Sequence, residues 1–173
     1  TGLGRTGELW AVDCWGVRPD ILITGKGLSG GLYPIAVAVL SEDVGGWLAE
    51  DGWGYVSTFG GAEPGCAVGR RALALCSSAD TLAGVRDTAD YLRTGLEDIR
   101  SRRDFLVDIS QKGLVIGLRF DAPDGGIRMS SALFQQGIWA MFASFDRAVL
   151  QFKPGLLVDR AYCDEALERL DGT

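Results

Sequence analysis

The most regular apolar pattern lies mid-chain: Leu82, Val85, Ala89, Leu92, Leu96 and Ile99 recur at spacings of 3, 4, 3, 4 and 3, with arginine and aspartate between them. That spacing keeps one face of an α-helix apolar, and it predicts a long helix over 80–102. Short continuous apolar runs come before it. Ile21-Leu-Ile-Thr24, bounded by Pro19 and Gly25, reads as a short buried strand of a parallel sheet, and the run from Ile35 to Leu40 as its neighbour. Helical signals in this half are weaker. They predict a short helix over 8–15 closed by Gly16, a segment over 41–49 opened by Ser41-Glu-Asp43, and a helix over 64–77 with Pro64 in its first turn. Residues 51–61 are rich in glycine and aromatics without periodicity and read as a loop.

Beyond the long helix the period changes. Leu114, Ile116, Leu118 and Phe120 alternate onto one face of a strand, and further strands are predicted over 105–109, 139–143 and 148–152. A last helix over 160–170 groups Cys163, Ala166, Leu167 and Leu170. The predicted class is α/β, with a sheet-bearing part over 1–79, a connecting helix over 80–103 and a small α+β domain over 104–173.

Composition narrows the chemistry. The 173 residues are 47% hydrophobic and 23% charged, the balance of a soluble globular chain. Histidine is absent, which removes the Ser/His/Asp triad, the Cys/His dyad and histidine-based zinc sites, and no metal is expected. A net charge of −6 and a pI near 4.6 argue against nucleic acid as a partner. No apolar run has the length of a membrane span, and the first residues lack the basic and apolar blocks of a signal peptide, so the expected setting is the cytoplasm. Cys14, Cys66, Cys76 and Cys163, at spacings of 52, 10 and 87, fit neither a zinc ribbon nor a redox pair and read as buried, reduced thiols.

Positive charge is carried by 14 arginines and only three lysines, so each lysine stands out. Gly2, Gly4 and Gly7 spell the dinucleotide fingerprint, but no strand precedes them and no acidic residue follows at the required distance. Gly25-Lys26 is followed by Gly27 instead of Ser or Thr, so it is not a phosphate-binding P-loop. Lys26 does stand between two glycines at the carboxyl end of an apolar strand, where open α/β sheets place ligands. An amine desolvated there condenses with aldehydes, and flanking glycines admit a flat ring. The plainer reading of such a lysine is a solvated loop residue. Ser57-Thr-Phe-Gly-Gly61 by itself supports only a weak anion-binding reading.

Thr24-Gly-Lys-Gly-Leu-Ser-Gly-Gly-Leu-Tyr-Pro-Ile35 closely resembles the cofactor-lysine segment of the class III aminotransferases, pyridoxal phosphate enzymes of fold type I. Thr1-Gly-Leu-Gly-Arg-Thr-Gly7, Pro19-Asp-Ile-Leu-Ile-Thr24, Ser57-Thr-Phe-Gly-Gly61 and Lys112-Gly-Leu-Val-Ile-Gly117 are similar to family segments in the same order. The resemblance implies a partial fold type I large domain, mostly parallel in its sheet, over 1–79 and the family's small domain over 104–173. It implies that the cofactor is pyridoxal 5'-phosphate and that Lys26 forms a Schiff base with it. Lys26 then moves protons between substrate and cofactor. It further implies that Ser57 and Thr58 contact the cofactor phosphate, Thr58 across a homodimer interface, and that the substrates are a small-molecule amino donor and a keto or aldehyde acceptor.

The chain also departs from the family. It matches only the family's later, smaller part, so the phosphate-holding turn, the ring-stacking aromatic and the acid at the pyridine nitrogen are expected before Thr1, and this piece alone is expected to be inactive. Exposed apolar surface is expected where the rest would dock. Gln151 stands where the family usually has a carboxylate-binding arginine, which favours an amine or unusual donor over an α-amino acid. Lys153 shares the strand face of Gln151 as a weaker anion contact or a solvated lysine, and Arg5 reads as an ion-pairing loop residue or a substrate contact. The five tryptophans read as core or dimer-interface packing. A lyase, decarboxylase or mutase on the same scaffold, or a non-catalytic fragment, are the alternatives.

Overall fold

A computed structural model describes residues 2–173; Thr1, the first residue of the glycine-rich segment noted above, lies outside them. The chain divides into two compact units, Thr1–Gly4 with Glu8–Ala79 and Arg5–Gly7 with Asp80–Thr173.

In the first unit, Ala11–Trp15 makes a single 3-10 turn, shorter than the helix the pattern predicts, and Gly16 closes it in the left-handed region at φ 62. Strand β1 (Ile21–Thr24) pairs with β2 (Val37–Leu40) in the register Ile21 opposite Leu40 to Thr24 opposite Val37. The pairing is antiparallel, which corrects the parallel neighbour expected for Ile21–Thr24. The connection holds only the 3-10 turn Lys26–Ser29 and the positive-φ glycines Gly30 and Gly31, so it reverses the chain. A parallel pair is usually joined through a crossover helix, and the twelve residues 25–36 hold no α-helix. The segment predicted over 41–49 splits at Gly45-Gly46 into a four-residue helix, α1 (Glu42–Gly45), and a 3-10 turn, Gly46–Ala49. After the loop comes α2 (Glu63–Cys76), with its proline in the first turn as expected.

The second unit is built on α3 (Ala79–Arg102), whose stripe is buried as the spacing requires: Val85, Ala89, Leu92, Leu96 and Ile99 all face inward. It is followed by β3 (Leu106–Lys112), β4 (Val115–Phe120), α4 (Gly125–Gln135), β5 (Met141–Ala143), β6 (Asp146–Phe152) and α5 (Arg160–Asp171). The four strands form one antiparallel sheet in the order β3-β4-β6-β5. Leu114, Ile116, Leu118 and Phe120 lie on its buried face with Leu150 and Phe152, against α3, α4 and α5 residues such as Leu92, Leu133 and Leu170. The N-terminus of α5 is capped by the Asp159 carboxylate, which accepts from the Tyr162 N–H at 2.8 Å. At its other end Asp171 accepts from Arg102 at 2.7 Å and from Arg103 at 2.9 Å, tying α5 to the end of α3.

Helix α4 has no counterpart in the sequence reading, because Gly125-Gly126 looks like a break. The pair instead allows close approach: a Cβ on Gly126 would stand 2.5 Å from the Val149 carbonyl, so only glycine lets the helix start against the β6 backbone. Two packing expectations are also corrected. Cys163 is buried, but Cys14 and Cys76 are half-buried and Cys66 is exposed. Trp15, Trp47, Trp53 and Trp139 are exposed and Trp10 is half-buried, so no tryptophan belongs to the core, and of the two expected roles only packing at a dimer interface stands.

Candidate active site

Lys26 opens the 3-10 turn that follows β1, and its backbone is held at φ 49. It is the one non-glycine residue at positive φ among the described residues. This conformation costs an L-residue on the order of 1–3 kcal/mol, and such strain gathers at functional sites. The turn is pinned from behind: Leu28 and Ser29 are 2% and 3% exposed, which orients the lysine outward from a fixed base. Helix α2 packs on this side of the turn with its two buried glycines, Gly65 and Gly69. A Cβ on Gly69 would stand 3.8 Å from the Leu28 carbonyl oxygen, and one on Gly65 would press on the Tyr33 ring at 3.0 Å.

The glycines around Lys26 differ in their demands. A Cβ on Gly25 would touch Ala36 and the Ile35 carbonyl at 3.4 Å, whereas Gly30 and Gly31 face open space. The ε-amine is exposed, with no ion pair among the described residues. The apolar shielding that the sequence reading expects is therefore not furnished by β1 and β2.

Ser57 and Thr58 lie in the loop before α2, both exposed, in a turn closed by the Gly60 N–H donating to the Ser57 carbonyl at 3.1 Å. Gly52, Trp53, Tyr55, Val56, Ser57 and Gly60 line an open hollow of about 430 Å³ there. Lys26 does not line this hollow, and no hydrogen bond joins Lys26 to Ser57 or Thr58 among the described residues.

In the second unit, Gln151 lies on β6 opposite Gly117 of β4 and Met141 of β5. Its amide nitrogen donates to the Phe142 carbonyl at 3.1 Å, and its amide oxygen accepts from Lys153, which lies just beyond the end of β6. The guanidinium of Arg5 donates to the Pro154 carbonyl, one residue beyond Lys153. The sequence carries no signal for that contact, because an arginine between glycines fits any exposed turn. Hydrogen bonds from Arg102 and then Arg103 hold the Asp171 carboxyl below the usual range, a hydrogen bond from Arg119 does the same for Asp146, and burial raises the Cys76 and Cys163 thiols.

The class III aminotransferase family profile matches residues 1–173, the whole chain. The chain belongs to the class III aminotransferases. It is 40% identical over 172 residues to an uncharacterized aminotransferase of Archaeoglobus fulgidus, covering 99% of this chain and 41% of the relative. An acetylornithine aminotransferase of Caldanaerobacter subterraneus is 37% identical over 171 residues, covering 99% of this chain and 42% of the relative. The fold matches the crystal structure of acetylornithine aminotransferase from Elizabethkingia anophelis with a TM-score of 0.86 at 26% identity, over 99% of this chain and 45% of that one. An ornithine aminotransferase from Toxoplasma gondii matches at 0.86 and 28%, over 99% and 40%, in a structure described as showing partial occupancy of PLP at its active site. This class III chain thus has the α/β fold of its family and spans about two-fifths of the length of the curated relatives it matches. Among the described residues no helix is long and apolar enough to cross a membrane.

Proposed function

We propose that this chain supplies the lysine-bearing part of a pyridoxal phosphate-dependent aminotransferase and that Lys26 is its catalytic residue. The observation that carries the reading is the backbone of Lys26, held at φ 49 on a buried turn with its amine exposed. The chain's residues fit the cofactor. Among the described residues no ion pair engages the Lys26 amine, Gly30 and Gly31 leave the space beside the turn open, and Ser57 and Thr58 offer two exposed hydroxyls to a phosphate. When bound, the cofactor supplies the electron sink for the bonds at the substrate α-carbon.

The protein's part is binding and proton transfer. The Lys26 Nζ would hold the cofactor covalently and, when free, would accept the substrate proton and return it on the other side of the exchange. The Ser57 and Thr58 hydroxyls donate to the phosphate, Thr58 from the second subunit of a homodimer. The exposed apolar faces of β1 and β2 support a setting in which the remaining length of the relatives covers them and dries the amine. The relatives' names favour an N-acylated ornithine or a similar terminal amine as donor, with a keto or aldehyde acceptor. That agrees with Gln151, whose amide is already engaged by Phe142 and Lys153 and presents no guanidinium fork to a carboxylate. The free thiols suit the reducing cytoplasm.

The test is co-expression of this chain with the part of the Archaeoglobus fulgidus relative that it does not span. Amino transfer from N-acetylornithine to a keto acid is expected, with a loss of roughly 10³-fold or more in Lys26→Ala. Activity that survives this substitution overturns the assignment.

A further inference from the structure

The chain leaves the first unit after Gly4, contributes Arg5–Gly7 to the second, and returns to the first at Glu8. The base of this excursion is closed by the Gly4 N–H donating to the Leu9 carbonyl at 3.0 Å and by the antiparallel bridge between Gly2 and Trp10. Its corners are Gly4 and Gly7, at φ 83 and 86, which an L side chain would strain. Its tip is built into the second unit by backbone groups at three places. The Arg5 carbonyl accepts from the Leu114 N–H at 2.8 Å, the Arg5 guanidinium donates to the Pro154 carbonyl, and Arg86 donates to the Gly7 carbonyl at 2.5 Å. Thr6 is 7% exposed. The fit leaves no slack: a Cβ on Gly113 would lie 2.5 Å from the Arg5 oxygen and 2.6 Å from the Thr6 carbonyl carbon.

Two of these contacts fall on the segments that frame Gln151 and Lys153. Pro154 directly follows Lys153 at the end of β6, and Leu114 ends the turn between β3 and β4, whose Gly117 lies opposite Gln151. Pro154 is itself buried, and a carbonyl held by a guanidinium fixes the backbone at that point. We propose that the Arg5–Gly7 tongue positions the end of β6, with Arg5 the residue through which it sets the Gln151–Lys153 pair. Arg5 touches neither substrate nor cofactor in this role; it is a positioning residue. Its meaning for substrate recognition rests on the aminotransferase reading, whereas the positioning is testable without turnover.

The sequence supplies a clean probe, because it has four glutamines and no asparagine, so side-chain amide NMR contains only Gln111, Gln135, Gln136 and Gln151. The experiment compares the 173-residue chain with Arg5→Met, at a temperature where both are folded. The expected result is that the Gln151 amide pair shifts or broadens, since its bonds to Phe142 and Lys153 loosen, while Gln135 and Gln136 at the end of α4 stay in place. Arg86→Met, which loosens the tongue from its Gly7 end, is expected to move Gln151 in the same direction and less far. A lower melting midpoint with the Gln151 pair unmoved in both variants overturns the proposal and leaves the Arg5–Pro154 contact a merely structural one within the second unit. Loss of the aminotransferase reading through an inert Lys26 would leave this readout unchanged, so the two failures are told apart.

Discussion

The two units solve the same problem, hiding apolar side chains, to different degrees. In the second, the stripe of α3, the alternating face of β4 and the inward residues of α4 and α5 meet in one continuous core. Of the 22 buried hydrophobic residues described, only Leu3 and Leu28 belong to the first unit, so its apolar runs are not buried by their own neighbours. Ile21 and Ile23 on β1 and Val39 on β2 are 52%, 78% and 54% exposed, and β1 and β2 make a sheet of only two strands. A two-stranded ribbon is marginal alone in water. The contrast teaches that a continuous apolar run such as Ile21-Leu-Ile reports the surroundings for which a strand is adapted, and that β1 and β2 do not provide those surroundings for each other.

That contrast predicts responses of very different size to the same kind of substitution. Leu118→Ala removes a fully buried side chain and is expected to cost about 2–5 kcal/mol, read as a lower urea midpoint. Ile23→Ala, on the exposed ribbon, is expected to stay within about 0.5 kcal/mol. Equal effects at the two sites would erase the difference between the units.

A smaller effect sharpens the account of the second unit. The Asp171 carboxyl, bonded by Arg102 first and by Arg103, is held below its ordinary range in the folded state. It therefore contributes stability above the ordinary aspartate value of about 3.9, and that contribution is lost as pH falls through the lower folded value. Asp171→Asn is expected to lower the melting midpoint slightly at neutral pH, with the gap from the wild type closing in acid. A gap that persists unchanged in acid would mean that the helix tie does not depend on the charge.

How far the sequence could be read follows the same division. Period alone placed α3, β4 and α5 and their buried faces, because each finds its complement within the second unit. The partner of β1 was legible but its antiparallel direction was not, since a short apolar run has no direction written in it. Helix α4 was hidden because Gly125 and Gly126 serve close packing there and look like a break in one dimension. Lys26 stood out through its glycine neighbours, yet its left-handed backbone and the buried Leu28-Ser29 base emerge only in three dimensions. The Arg5–Pro154 contact joins residues 149 positions apart and leaves no local pattern.

The central claim, that the Lys26 amine is the covalent anchor for pyridoxal phosphate, can be measured directly because the chain has only Lys26, Lys112 and Lys153 as alternatives. The protein is mixed with an equimolar amount of the cofactor, reduced with borohydride, and the adduct located by peptide mass spectrometry. The account predicts label concentrated on Lys26, and Lys26→Ala without a transfer of that label to the other two. Label spread evenly over the three lysines, or favouring Lys153, would contradict it.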